Sequence, residues 1–150
     1  FTAVLFLDFI YVVFWRNNML IRDIMIKEVV TVDESFNVKQ CIDILFKRHI
    51  GSIVVVDAQN KISGILTERD IIRIISQDTP LSTPVSDVMT TNVKTISLDA
   101  TFAEARELMR MYRIRHIPVV DDEGKLAGLI SLRHLIDEFF EIIPSTRSQF

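Results

Sequence analysis

The stretch IGSIVVVD, residues 50–57, returns 64 positions later as IRHIPVVD, residues 114–121. Working outward from this pair, residues 21–72 align with residues 85–136 without a gap, and thirteen of the fifty-two aligned pairs are identical. A chance similarity would drift or need gaps, so we interpret the pattern as an internal duplication. Two copies are too few for a solenoid, which means that the fold must come from pairing two similar units.

Both copies predict the same order of elements. A short strand leads to a helix with apolar residues at helical spacing, then to two strands joined by turn residues, and then to a second helix. The sequence therefore predicts an α/β fold of tandem β-α-β-β-α repeats packed with pseudo-twofold symmetry, because one repeat alone is too small to bury its helices well. The predicted ranges are strands 29–32, 52–57, 61–66, 93–96, 116–121 and 125–130, first helices from Val38 and Phe102, and second helices 67–76 and 131–143.

The repeat also divides the chain. Repeat 1 covers residues 19–76, repeat 2 covers residues 85–143, and the stretch QDTPLSTP at 77–84, with its two prolines, is the linker. Residues 144–150 form a tail. Residues 1–18 begin with an apolar run that is short for a bilayer span of about 20 residues. This run can be a truncated membrane segment, an artefact of the chain boundary before Met19, or an element packed on the domain.

Composition narrows the class of protein. The chain has 49% hydrophobic and 25% charged residues, which is typical of a globular domain. A net charge of −3 argues against a general nucleic-acid binder. The lone Cys41 suits a reducing compartment, so we expect a cytoplasmic protein. The spacing of Cys41 and the three histidines fits no metal site, and no nucleophile–base grouping indicates an enzyme.

The stretch GILTERD, Gly64–Asp70, lies at the predicted junction of a strand and a helix. Gly64 is expected to end or kink the strand, while Thr67 and Asp70 have the spacing of a capping box. One interpretation is simply a well-started helix. The other is a ligand site, in which the helix start binds a phosphate and the Asp70 carboxylate accepts hydrogen bonds from a ribose diol.

The duplicated pattern resembles the cystathionine-β-synthase (CBS) domain pair, also called the Bateman module, over residues 20 to about 140. Three kinds of feature carry the resemblance, in the right order and spacing. They are the D-[IV]-M openings at Asp23–Met25 and Asp87–Met89, the strands Ile53–Asp57 and Ile117–Asp121, and the G-h-x-[ST]-x-x-D segment at Gly64–Asp70.

The resemblance implies a non-catalytic regulatory sensor that needs no cofactor. Such a module binds an adenosyl ligand (AMP, ADP, ATP or S-adenosylmethionine) in clefts between the repeats. By this resemblance Asp70 holds the ribose and Thr67 contacts phosphate. Backbone groups surround the adenine at Val29, Val30 and Thr31 and at Gly51, Ser52 and Ile53.

The pseudo-twofold axis should bring cationic groups of repeat 2 to the phosphates. The best candidates are Arg115 and His116, with Arg69 and Arg133 behind them, whereas Arg110 and Arg113 are expected on a solvated helix face. In repeat 2, Ser131 keeps the hydroxyl, but His134 stands where the ribose carboxylate should be. We therefore expect one competent site, built on Asp70, and a second that is weak, altered or empty.

Partners follow from the apolar last helix. Its surface favours a homodimer, and a sensor also needs an effector protein, which the sequence does not identify. Two alternatives stay open: a ligand-free structural dimerisation module, and the cytosolic regulatory end of a membrane transporter or channel, if residues 1–15 are a truncated transmembrane segment.

Overall fold

The computed structural model describes residue 14 and residues 17–141. The apolar run before Met19, the tail 144–150 and the far end of the last predicted helix thus lie largely outside the described residues. Among those that are described, no helix is both long and apolar enough to cross a bilayer. In chain order the elements are α1 (Ile21–Ile24), β1 (Thr31–Val32), α2 (Val38–Arg48), β2 (Ser52–Val56), β3 (Ile62–Thr67), α3 (Glu68–Ser76), β4 (Ile96–Ser97), α4 (Phe102–Tyr112), β5 (His116–Val120), β6 (Leu126–Ser131) and α5 (Leu132–Glu141), with a 3-10 turn at Val85–Asp87.

The six strands form two sheets of the same design. In each sheet the first strand is parallel to the second, and the second is antiparallel to the third, in the orders β1-β2-β3 and β4-β5-β6. The central strands β2 and β5 are almost fully buried, as their uninterrupted apolar runs predict. The predicted α/β fold of two repeats is confirmed.

Gly64 and Gly128 lie inside β3 and β6, at equivalent places beside a register irregularity. A Cβ atom on Gly64 would come within 2.3 Å of the Met89 sulfur, and one on Gly128 within 2.4 Å of the Met25 sulfur. These distances are too short for any side chain, so each glycine provides the space for a methionine. Gly64 therefore does not end its strand; it admits a close contact from the other half of the molecule.

The segments that open the two sequence repeats exchange places. Ile21 and Ile24 of α1 are buried among β4–β6 and α4, in what we call the second core. Conversely, Val85 packs among β1–β3, α2 and α3, in the first core. Backbone bridges fix both crossings, Ile26 pairing with Leu129 and Thr90 with Ile65. Each core is thus completed by residues from the other repeat, which holds the two sheets in a fixed relation.

Candidate functional site

Two clefts related by the pseudo-twofold axis lie between the cores. The larger, about 930 Å³, is called the Asp70 cleft here, and the smaller, about 620 Å³, the Ser131 cleft. They meet at the centre of the molecule, where both are lined by Gly51, Glu68, Arg115, His116 and Leu132. The Asp70 cleft is further lined by Thr67, Arg69, Asp70, Ile72, Thr90, Arg106, Met109, Arg110, Arg113 and Ile114.

One wall of the Asp70 cleft is the junction between β3 and α3. Oδ2 of Asp70 accepts hydrogen bonds from the backbone N–H and the hydroxyl of Thr67, both at 2.9 Å, and the Asp70 N–H donates to the Thr67 hydroxyl at 3.4 Å. The capping box expected from the sequence is therefore formed. Glu68 N–H also donates to the Gly51 carbonyl at 3.1 Å. As a result, this helix start offers fewer N–H groups to a phosphate than the sequence interpretation assumed.

The other carboxylate oxygen of Asp70 faces the crossing segment of repeat 2. Oδ1 accepts from Nη2 of Arg73 at 3.2 Å and from the Thr90 hydroxyl at 3.3 Å. The same Nη2 of Arg73 donates to the Val88 carbonyl at 2.7 Å. A carboxylate offers about four lone-pair sites, and all are in use here. A diol that binds Oδ1 must therefore replace Thr90 or Arg73.

His116 lies at the centre, against the backbone of Gly51. A Cβ atom on Gly51 would be 3.1 Å from Nε2 of His116 and 3.6 Å from Oε2 of Glu68, so the glycine leaves just enough room for both side chains. Burial lowers the pKa of His116 and the Arg115 charge lowers it further, while the Glu68 carboxylate opposes both. The imidazole is then neutral at pH 7 and offers a hydrogen bond rather than the positive charge expected from the sequence.

The opposite wall of the Asp70 cleft is made by arginines of repeat 2. Arg106 and Arg110 project from α4, and Arg113, at the left-handed end of that helix (φ 52°), leads into Arg115. Arg110 is paired with Glu107 through bonds of 2.6 and 3.0 Å. Arg110 and Arg113 are exposed, as expected of a solvated face, and they also line the cleft. Arg106 was missed, although its spacing of four from Arg110 puts both on one helix face.

The Ser131 cleft shares Glu68, Arg115 and His116 with the Asp70 cleft, but neither Asp70 nor the arginines of α4 line it. The Ser131 hydroxyl accepts from the His134 N–H at 3.1 Å and so caps α5. The His134 ring does not point to a ligand: its Nε2 donates to the Ile24 carbonyl. Ile24 occupies the same repeat position as Val88, whose carbonyl is bonded by Arg73. The imidazole thus performs the bonding that Arg73 performs in the first repeat.

The predicted ligand residues divide into three groups. Those that line the Asp70 cleft are Gly51, Thr67, Arg69, Asp70, Arg115 and His116. Ser131 lines the other cleft, with Arg133. The remaining five line neither cleft, because the chain places them in or beside the first sheet: Val29, Val30, Thr31, Ser52 and Ile53. That any of these residues contacts a ligand stays a prediction.

Ser52 nevertheless has an unusual environment. It is 4% exposed, and its hydroxyl is buried without a hydrogen-bond partner among the described residues. It pairs directly with Thr67 across β2 and β3, so both side chains are on the same face of the sheet. This buried hydroxyl lies one residue from Gly51, at the edge of the Asp70 cleft.

Reactive groups outside the clefts are few. Cys41 is fully buried in the first core, and burial raises the pKa of its thiol to about 11, so it stays protonated at neutral pH. Among the side chains that the structure describes, no group of three or more His, Cys, Asp or Glu is arranged to hold a metal ion.

The chain is thus a module of two α/β repeats. The repeats exchange their opening segments and form two clefts between them. The family model of the CBS domain matches residues 21–77 and 85–141, and the chain belongs to this family.

Comparison with individual proteins gives the same assignment. The chain is 42% identical over 113 residues to inosine-5′-monophosphate dehydrogenase of Aquifex aeolicus, covering 75% of this chain but only 23% of that enzyme. It is 30% identical over 122 residues to an uncharacterized 17.7 kDa protein of Acidianus ambivalens, covering 81% of this chain and 74% of the relative. Among solved structures, a CBS domain pair in complex with 5′-methylthioadenosine and S-adenosyl-L-methionine matches with a TM-score of 0.75 at 28% identity, over 81% of this chain and 95% of the other.

Proposed function

We propose that this chain is a non-catalytic regulatory module that binds an adenosyl ligand in the Asp70 cleft and signals by a conformational change. The observation that carries the proposal is the meeting, in one cleft, of Thr67 and Asp70 from repeat 1 with Arg115 and His116 from repeat 2. The similar CBS domain pair in complex with two adenosyl compounds supports this ligand class.

The route from ligand to signal begins at Oδ1 of Asp70. A ribose diol that takes this oxygen displaces the Thr90 hydroxyl or the Arg73 guanidinium. Thr90 belongs to the crossing segment that pairs with β3, and Arg73 also bonds the Val88 carbonyl in the same segment. Ligand binding therefore weakens links between α3 and the segment that leads into repeat 2. Coupling of this kind is commonly worth about 1–3 kcal/mol.

The experiment is thermal unfolding of the chain with AMP, ADP, ATP and S-adenosylmethionine, repeated on Asp70→Asn. A ligand at a hundred times its dissociation constant stabilises the fold by about 2.7 kcal/mol, so we expect a clear upward shift of the melting temperature that Asp70→Asn abolishes. Glu104→Gln is the matched control. Glu104 is the same capping-box residue on α4, outside the cleft, so its variant likewise replaces a carboxylate by an amide that can still accept from the N-cap N–H, and it should keep the ligand response.

The competing function is a structural dimerisation module without a ligand. In that case none of the four compounds shifts the melting temperature of the folded protein, and Asp70→Asn and Glu104→Gln behave alike. A shift that persists in Asp70→Asn would instead show that the ligand binds elsewhere.

The proposed assembly is a homodimer that an unidentified effector protein recognises. Ile72 and Ile75 on α3 are 70% and 59% exposed, and Leu132 and Ile136 on α5 are 38% and 46% exposed. Apolar residues grouped on two helices that the pseudo-twofold relates are suited to contact a second copy. We also propose a cytoplasmic location, which suits the single cysteine.

A further inference from the structure

The Asp70 cleft carries more positive charge than a nucleoside or a monophosphate requires. Five arginines line it, against two carboxylates, an excess of three positive charges in a chain whose net charge is −3. The arginines come from both walls: one from α3 in repeat 1, and four from α4 and the residues that follow it in repeat 2. They are Arg69, Arg106, Arg110, Arg113 and Arg115.

The chain itself does little to neutralise this charge. Arg110 has an ion pair, with Glu107, but in the part of the chain that the structure describes no carboxylate lies within 4 Å of the other four arginines. Arg69 sits in the first turn of α3, where the helix dipole disfavours a cation. Arg106 and Arg110 are like charges four residues apart, which is also unfavourable. All five side chains are exposed to solvent, so their charge is accessible to an anionic ligand that enters the cleft.

The twofold-related wall gives an internal comparison. The residues at the positions of Arg106 and Arg110 in the first repeat are Ile42 and Phe46, on α2, and the residue at the position of Arg115 is Gly51. The Ser131 cleft is lined by Arg115 and Arg133, but it lacks the Asp70 carboxylate and the counterparts of Arg106 and Arg110. The arginine wall accompanies the one cleft that keeps Asp70, so it is a property of that site and not of the fold.

The charge also discriminates among adenosyl ligands. AMP carries about two negative charges and each further phosphate adds about one, whereas S-adenosylmethionine carries a sulfonium cation and 5′-methylthioadenosine has no phosphate. Arginine forms paired hydrogen bonds to phosphate oxygens, and several arginines suit a chain of phosphates. The helix start cannot replace them, because Glu68 and Asp70 N–H groups are already bonded within the chain.

We infer that the Asp70 cleft contains a polyphosphate subsite, in which Arg106, Arg110 and Arg113 hold the second and third phosphates of an adenosine di- or triphosphate. The inference rests on the proposed function and adds the ligand's charge class: the cleft prefers ATP and ADP to AMP, and it discriminates against S-adenosylmethionine. Arg115 and Arg69 remain near the first phosphate and serve all three nucleotides.

Isothermal titration calorimetry of the chain with AMP, ADP, ATP and S-adenosylmethionine tests this subsite. We expect ATP and ADP to bind about tenfold or more tightly than AMP, with the difference shrinking as ionic strength rises. The double variant Arg106→Gln/Arg110→Gln should weaken ATP binding about tenfold and change AMP binding by about twofold or less. Arg48→Gln, an exposed arginine at the end of α2 that lines neither cleft, is the matched control and should change nothing.

The outcomes separate the inference from the function on which it rests. Equal affinity for AMP and ATP, tighter binding of S-adenosylmethionine, or equal loss of all nucleotides in the double variant would overturn the polyphosphate subsite while leaving the adenosyl sensor intact. Binding of none of the four compounds would overturn both.

Discussion

Asp70 and His134 occupy equivalent positions of the two repeats, and each is close to a backbone carbonyl of a crossing segment. The two carbonyls, of Val88 and Ile24, accept hydrogen bonds from different kinds of side chain. In the first repeat Arg73 donates hydrogen bonds to the Val88 carbonyl and to the Asp70 carboxylate. In the second repeat the residue at the position of Arg73 is Asp137, which cannot donate, and His134 reaches the Ile24 carbonyl directly. In the second repeat, the absence of a carboxylate at the position of Asp70 therefore goes together with the absence of an arginine at the position of Arg73.

This account makes His134→Asp a destabilising substitution. It leaves the Ile24 carbonyl without its side-chain donor and puts a carboxylate beside it, which should cost about 1–3 kcal/mol of the free energy of unfolding in urea. Adding Asp137→Arg recreates the arrangement of the first repeat and should recover much of that loss. If His134→Asp is as stable as the natural chain, or if the second substitution brings no recovery, the equivalence is wrong.

His116 gives the molecule a pH dependence of known sign. Its pKa lies below the ordinary value of about 6.5 because the ring is buried beside Arg115, with Glu68 only partly opposing this. As the pH falls through 6.5, the unfolded chain takes up the proton first, so the free energy of unfolding decreases; above 6.5 the residue has no such effect. His116→Gln removes the titration.

The measurement is the free energy of unfolding of both proteins in urea between about pH 5 and about pH 8. We expect the natural chain to lose stability relative to His116→Gln on the acid side only. The remaining histidines and carboxylates are common to both proteins and largely cancel. A stability difference that stays constant over this range would contradict the lowered pKa.

At the scale of elements, the sequence predicted what local patterns determine. α4 was predicted from Phe102, its helical spacing is clear, and it begins at a Thr101–Glu104 capping box. β2 and β5 follow from apolar runs bounded by turn residues, within one residue of the structure at either end. Helix caps and apolar runs depend on residues that are close together in the chain, so a single sequence is enough to predict them.

The crossing of the two opening segments was not predicted, because the D-[IV]-M pattern marks their positions in the chain but not the core that each one joins. α1 has four residues and the turn at Val85–Asp87 has three, too short for a periodic pattern. Their place is fixed by contacts between distant parts of the chain. Ile26 pairs with Leu129, 103 residues away, and Ile65 pairs with Thr90, 25 residues away. The part of Arg110 and Arg113 in the cleft was not predicted for the same reason. Whether an exposed residue of α4 also lines a cleft depends on which element packs opposite that helix.

At the scale of the whole molecule, the exchange makes the site a property of both repeats. Val85, at the start of repeat 2, is buried in the first core, and Ile21, at the start of repeat 1, is buried in the second core. Neither repeat could keep its half of the Asp70 cleft in place alone. Under the proposed function, a ligand that changes the contact of Asp70 with Thr90 acts on the link between the two cores.

The apolar surface of α3 predicts how copies associate. Ile75 is 59% exposed and lines neither cleft, so Ile75→Glu should disrupt a contact between copies without removing a ligand residue. We expect the natural chain to sediment as a dimer and Ile75→Glu as a monomer, because a charge in an apolar interface is costly to bury. Phe46→Glu is the control: Phe46 is 77% exposed, but it belongs to a different helix, α2, and lines neither cleft, so its variant should remain dimeric. A natural chain that sediments as a monomer, or an Ile75→Glu variant that stays dimeric while Phe46→Glu dissociates, would show that α3 is not the surface between copies.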